Sequence, residues 1–281
     1  MTISEAKKYI ISELELYSDS ATFEATEILI YATETERAKL LFAGKEKVSR
    51  NEFVKIKKII SKRKKGIPLQ YLIGEWEFYA LPFKVGKGVL VPRPDTELLV
   101  DTALEYLAPF DSKALVLDLC AGTGAVGIAI SKNCPKAEVT MVEKSKKAFK
   151  FLRQNLKINP CNCSAVMEDV FTFSPIKRCD LIVSNPPYIP TDDIKGLSPE
   201  VKREPKMALD GGSDGLLFYR KITDRADSLL KKGGRIIFEI GYNQGQAVKE
   251  ILEAKGFINV EILKDFSGND RVVLGDLKKY S

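Results

Sequence analysis

The chain has 281 residues, 44% hydrophobic and 29% charged, with a formal net charge of +6; this suits one large or two modest soluble domains with a real core. There is no histidine, which excludes Ser-His and Cys-His triads, imidazole bases and most zinc enzymes. The five cysteines, Cys120, Cys134, Cys161, Cys163 and Cys179, contain no C-x-x-C pair, so neither a disulfide framework nor a metal site is expected, and catalysis must work by positioning or through carboxylates.

The opening "MTISEAKKYI" lacks the apolar core of a signal peptide, and no apolar run approaches the roughly 20 residues of a membrane span. A cytoplasmic protein without a membrane partner is expected. Residues 1–73 read as a helical bundle domain. Thr2-x-x-Glu5, Thr33-x-x-Glu36 and Ser49-x-x-Glu52 each fit a capping box that opens a helix. Ala21, Ala25, Ile28, Leu29 and Ala32 make one apolar stripe, and Phe53, Ile56, Ile59 and Ile60 another. Between positions 45 and 65 stand Lys45, Lys47, Arg50, Lys55, Lys57, Lys58, Lys62, Arg63, Lys64 and Lys65, against only Glu46 and Glu52. Such a run is either a solvated helix face or a surface for an acidic protein or RNA. Gly66, with Pro68 just beyond, stops the last helix.

Residues 74–92, containing "EWEFYALPFKVGKGVLVP", read as a β-hairpin linker. The catalytic domain is expected over 93–281. There, strands are predicted at 114–119, 138–143, 164–168, 180–184, 235–240, 258–263 and 271–274, with helices at 124–132, 145–157, 214–232 and 244–254. The alternation argues for an α/β fold with a doubly wound, mostly parallel sheet. No helix separates the final two strands, so they should close the sheet as an antiparallel hairpin.

The first of these strands runs into "LDLCAGTGAVGIAI". Gly122 and Gly124 let the backbone pass close to a ligand at a helix N-terminus. Glu143 ends the next strand about 20 residues later, where an acid can take ribose hydroxyls. The Gly122-x-Gly124-x-x-Gly127 spacing also fits a dinucleotide site or a plain tight turn. Asp169 after the third strand offers a partner for an adenine amino group. Several acids at strand ends suit an adenosine ligand without phosphates, since they would repel a pyrophosphate.

The fourth strand ends in "IVSNPPYIP". Two adjacent prolines cannot continue a sheet. Asn-Pro is an ordinary turn dipeptide, but beside a cofactor loop the stretch also reads as a clamp for a planar NH₂ group. The Asn185 side-chain carbonyl and the Pro186 main-chain carbonyl would accept its two N–H bonds, Pro187 would hold the loop rigid, and Tyr188 would stack on the acceptor.

Together with "KKGIPLQYLIGEWEFYALPFKV", "VLVPRPDTELLV", "EPKMALDGGSDGLLFYRKI", "GGRIIFEIGYNQGQAV" and "DFSGNDRVVLG", these motifs resemble the HemK/PrmC family, the protein-(glutamine-N(5)) methyltransferases that modify peptide chain release factors. The resemblance covers nearly the whole chain. It implies a class I, Rossmann-like, S-adenosylmethionine-dependent methyltransferase. By it, Cys120, Ala121, Gly122, Thr123 and Gly124 wrap the methionine part of S-adenosylmethionine, and Glu143 takes the ribose. Asp169 and Val170 frame the adenine, and Asn185, Pro186, Pro187 and Tyr188 hold the substrate glutamine, which lies in a Gly-Gly-Gln sequence. Cys120 stands where many methyltransferases have glycine, Glu143 is longer than the commoner aspartate, and Val170 replaces an aromatic. Arg93, Asp95, Thr96 and Glu97 are expected to play a dual role, capping the helix that follows and bringing a carboxylate near the cofactor's amino group. The chain should act as a monomer on release factors without obligate nucleic acid. The other enzymatic reading is an amino methyltransferase for adenine or guanine in DNA or rRNA, with the basic segment holding phosphates. An NAD oxidoreductase is disfavoured by the acids and the clamp, and a ribosome-binding protein with a vestigial site by the intact clamp.

Overall fold

Thr2 opens the first helix by a reciprocal exchange: its hydroxyl accepts the Glu5 N–H at 3.2 Å, and Glu5 accepts the Thr2 N–H at 2.8 Å. In the computed structural model, which describes residues 1–279, this helix is α1 (Ile3–Leu14), followed by α2 (Ala21–Thr33), α3 (Arg37–Leu40), α4 (Arg50–Arg63) and α5 (Leu69–Ile73). Ser49 and Glu52 form the second capping box, at α4. The box expected at Thr33 does not form. Thr33 is the last residue of α2, and its hydroxyl donates backwards to the Leu29 carbonyl at 2.8 Å. Glu34 then turns left-handed, and α3 starts without a side-chain cap.

The predicted stripes meet as one apolar core. Ile10, Leu14, Ile28, Leu29 and Ile56 have no exposed surface, and each such side chain contributes roughly 1.5–3 kcal/mol on burial. Arg63 does not belong to the exposed basic face. It is 2% exposed and donates to both oxygens of buried Glu24, at 2.8 Å each. It also pairs with Glu200. By backbone contacts the chain forms two compact units, and residues Ser198–Arg203 belong with Met1–Glu75. Nothing in the sequence marks this excursion.

The second unit holds Trp76–Leu197 and the chain from Glu204 onward. A small hairpin, β1 (Glu75–Phe78) and β2 (Leu81–Lys84), leads to α6 (Glu97–Leu107). Then come β3 (Ala114–Leu119), α7 (Ala125–Asn133), β4 (Ala137–Val142), α8 (Lys146–Ile158), β5 (Cys163–Val166) and β6 (Cys179–Ser184). The chain continues through α9 (Leu217–Asp224), α10 (Ala226–Leu229), β7 (Leu230–Glu239), α11 (Gly245–Ala254), β8 (Phe257–Lys264) and β9 (Asp270–Leu277). The helix expected to reach 232 ends at Leu229, because Leu230 already pairs with Cys179 of β6. The main sheet has the order β5-β4-β3-β6-β7-β9-β8. Strands β3 to β7 run parallel, and β9 lies antiparallel to both β7 and β8. Strand order reverses between β3 and β6, and such a switch point opens a crevice at the carboxyl ends of the strands. No helix among the described residues is long and apolar enough to cross a membrane.

Candidate active site

Sheet register brings the predicted motifs together. Leu119 at the end of β3 is paired with Ser184 of β6 and with Val142 of β4, and Ser184 is paired with Phe238 of β7. One residue further on, Cys120, Glu143, Asn185 and Glu239 therefore emerge side by side. The Ser184 hydroxyl donates to the Leu119 carbonyl at 2.5 Å and ties the two central strand ends.

The loop after β3 needs unusual backbone. Cys120 has φ +65°, Gly122 +56° and Gly124 +80°. Cys120 is therefore a strained, left-handed residue in a position that glycine fills without cost. Its thiol is pushed well up by burial and then by the nearby Glu143, which disfavours the thiolate. Gly127 answers a different need. A β-carbon there would lie 2.7 Å from Met141 and 2.9 Å from the Asp118 carboxylate, which accepts the Gly127 N–H at 3.0 Å.

Three acids meet this loop. Glu143 accepts the Gly122 N–H at 2.8 Å and the Ser145 N–H at 2.5 Å. Burial raises its pKa in spite of those bonds. Asp118 is 1% exposed, and burial pushes it up to about 7. Asp169 is more open. Its partial burial raises its pKa, but a 2.7 Å bond from Lys144 and the Phe171 N–H outweigh this and hold it below the usual range.

These groups line one pocket, about 1110 Å³ of empty space including its open mouth. Cys120, Ala121, Gly122, Thr123, Glu143, Asp169, Val170, Asn185 and Pro187 all contribute to its wall. Gly124 does not; it serves as the left-handed N-cap of α7. Pro186 and Tyr188 also lie off the wall. Tyr188 packs against the apolar core instead, and its hydroxyl is pushed up to about 12 by burial and then by Glu239. Gln244 holds the Tyr188 carbonyl at 2.9 Å. The remaining wall is mostly apolar, with Val89, Val91, Phe171 and Phe218. The Phe171 and Phe218 rings lie 4.9 Å apart on this wall, next to Val170. The slot has mostly apolar walls, with the acids Asp118, Glu143 and Asp169 and the cations Arg93 and Lys144 along it.

The Pro-Arg-Pro-Asp-Thr-Glu run joins several motifs. Arg93 pairs with Glu204, Asp95 forms an ion pair with Arg271 at 3.3 Å, and Glu97 accepts the Tyr79 N–H at 2.9 Å. The Thr96 hydroxyl, 4% exposed, accepts from Asn185 Nδ2 at 3.3 Å. The amide nitrogen of Asn185 is thus engaged by Thr96. Thr96 as a partner of Asn185, together with Asp118, Glu239, Phe171 and Phe218, escaped the sequence reading. Asp118 did leave a signal, an acid inside the apolar run "ALVLDL".

A crevice of this composition at the switch point of such a sheet defines a class I methyltransferase. The solved T. thermophilus 16S rRNA N2 G1207 methyltransferase shares that fold, with a TM-score of 0.52, 22% identity and coverage of 73% of this chain and 50% of that one. The Methyltransferase small domain family model matches residues 94–198, and the PrmC N-terminal domain model matches residues 5–74. A release factor glutamine methyltransferase from Clostridium acetobutylicum is 39% identical over 280 residues, 98% of each chain. Its counterpart from Thermodesulfovibrio yellowstonii is 41% identical over 254 residues, 89% of this chain and 91% of that protein. The chain belongs to the release factor glutamine methyltransferase family. It is accordingly a protein-(glutamine-N5) methyltransferase, supplied by a methyl donor of the S-adenosylmethionine type.

Proposed function

We propose that the chain methylates the side-chain amide nitrogen of the glutamine in the Gly-Gly-Gln sequence of peptide chain release factors. The observation that carries this reading is the placement of Asn185. It stands at the switch point, on the pocket wall, with its amide nitrogen turned back to Thr96. The carbonyl oxygen then accepts one N–H of the substrate amide, and the Pro186 carbonyl, off the pocket wall in this structure, accepts the other once the substrate is in place. Amide nitrogen is a poor nucleophile because its lone pair is delocalised. Holding both N–H groups fixes the nitrogen, favours pyramidal character and aims the lone pair. No base is required, because the proton becomes acidic once the nitrogen is alkylated.

S-Adenosylmethionine, when bound, supplies a sulfonium methyl as the electrophile. Glu143 is placed to take ribose hydroxyls, Asp169 and Val170 to frame the adenine, and Cys120–Thr123 to enclose the methionine part. A glutamine flanked by glycines on a flexible loop can enter such a crevice, whereas one in a packed element cannot. The exposed basic residues of the helical unit, among them Lys45, Lys47, Lys58 and Lys62, suit the remainder of an acidic protein partner in the cytoplasm.

Mass spectrometry of a release factor treated with the enzyme and S-adenosylmethionine tests the reading. One added methyl on the loop glutamine, absent after Gln→Ala there, is expected. Asn185→Ala should cut turnover by on the order of a hundredfold while cofactor affinity changes far less. Label on adenine or guanine of DNA or rRNA would overturn the reading in favour of a nucleic-acid methyltransferase.

A further inference from the structure

We propose that Glu239 is a positioning residue that decides which end of the Asn185 amide faces the acceptor. The inference rests on the clamp reading of Asn185. An asparagine amide is nearly symmetric in shape, yet its two ends are chemically opposite. If it flipped, an NH₂ group would face the substrate NH₂ and the clamp would have no acceptor. The protein therefore needs a device that chooses the end.

Thr96 alone cannot choose. Its hydroxyl accepts from Asn185 Nδ2 at 3.3 Å, but a hydroxyl can equally donate to an amide oxygen. A carboxylate can only accept. Glu239 ends β7, beside Asn185, through the Ser184–Phe238 pairing. It is 2% exposed, and both the Thr96 hydroxyl and the Asn185 amide act on its carboxyl and favour its charged form. With the Thr96 proton drawn to Glu239, Thr96 is left as an acceptor, and the Asn185 nitrogen is the end that satisfies it. Glu239 does not line the pocket, so it acts through Asn185 rather than on the substrate.

The orphaned oxygen strengthens the case. Glu239 Oε2 is buried without a hydrogen-bond partner among the described residues. A buried oxygen without a partner is destabilising, so packing alone does not account for an acid here. Burial pushes Glu239 up to about 7. Arg271 and Asp95 act on it from further away with opposite signs, and the Tyr188 and Tyr219 hydroxyls are its other titratable neighbours. A protonated Glu239 would become a donor, free Thr96 to reverse, and lose the choice of end.

The test is steady-state methylation of whole release factor by the full-length enzyme. Glu239→Gln should lower kcat on the order of tenfold to a hundredfold, as removing the partner that orients a reacting group commonly does, with KM for S-adenosylmethionine within about twofold. The acid limb of the kcat profile near pH 7 should vanish in this variant. In an Asn185→Ala background Glu239→Gln should cost nothing further, because its only route of action is gone. Glu239→Asp, which keeps a pure acceptor, should retain more activity than Glu239→Gln. Should Glu239→Gln fail to fold, Thr96→Val against Thr96→Ser provides the same comparison. An unchanged kcat in Glu239→Gln, or a loss that simply adds to that of Asn185→Ala, overturns the proposal. Full activity in Asn185→Ala overturns the clamp itself, which is a separate outcome.

Discussion

Glu24 in the helical unit and Asp118 and Glu239 in the catalytic unit are all almost completely buried acids, but their surroundings differ. Glu24 receives two guanidinium bonds from Arg63. Asp118 receives one N–H, from Gly127, and Glu239 leaves an oxygen without a partner among the described residues. The first acid is matched by its own fold, and its charge is neutralised before anything binds. The other two stand at the carboxyl ends of parallel strands, and burial lifts both to about 7. A matched buried acid marks architecture, while under-satisfied ones mark the place where chemistry is done.

Four changes probe that contrast. Arg63→Ala should have the largest effect. It strands Glu24 in an apolar core and should destabilise the helical unit by roughly 3–5 kcal/mol; urea unfolding reads this, and Arg63→Met with Glu24→Leu should recover most of the loss. A cost below about 1 kcal/mol for the single variant would mean that the pair behaves as a surface one and the contrast fails.

Glu143→Ala comes next. It removes a charged acceptor for ribose hydroxyls and frees the Gly122 N–H, so calorimetry should show S-adenosylmethionine binding weakened by roughly 1.5–3 kcal/mol. NAD should not bind to either form.

The third concerns pH. The folded-state pKa of Asp118 is raised, so the folded protein holds a proton that the unfolded chain releases above about pH 4. Stability should therefore fall as pH rises from about 4 to 7, with a slope approaching about 1.4 kcal/mol per unit from this group. Asp118→Asn should flatten that part of the curve. An unchanged slope would show that Asp118 is not protonated in the fold.

Ser49→Ala is the smallest change. It removes one half of the α4 capping box and should cost about 1 kcal/mol, whereas Thr33→Ala, whose expected box does not form, should cost clearly less in the same melting experiment.

The sheet was legible because its signals are local. The β3 strand spans the predicted 114–119, and the abrupt stop at Asn185-Pro186 marks the end of β6. Thr33 misled because a hydroxyl near a helix end can bond backwards as well as forwards. The overlong helix at 214–232 failed because "LLKKGG" carries both helical and strand residues, and only pairing with Cys179 decides between them. The cofactor loop was readable from its glycines, but the network behind Asn185 was not. Thr96 and Glu239 are distant in sequence from Asn185 and from each other, and neither residue type advertises its role. Tyr188 shows the converse. Its motif suggested a stacking platform, whereas the side chain packs partly buried against the apolar core and does not line the pocket.

The short stretch Ser198–Arg203, which belongs to the helical unit, gives that unit a timetable. A ribosome delivers residues 1–75 first, but 122 residues lie between Glu75 and Ser198, so the last piece arrives roughly 6–25 s later at ordinary elongation rates. Until then Arg63 lacks its second carboxylate, Glu200, and Gly66 lacks the Pro199 that later packs against it. The helical unit is thus a discontinuous domain whose completion waits on the loop that follows Asn185-Pro186-Pro187-Tyr188. Cutting the gene at residue 75 would leave six residues of one unit stranded in the product of the other, so a truncated enzyme would report that misplaced segment as well as the missing helices.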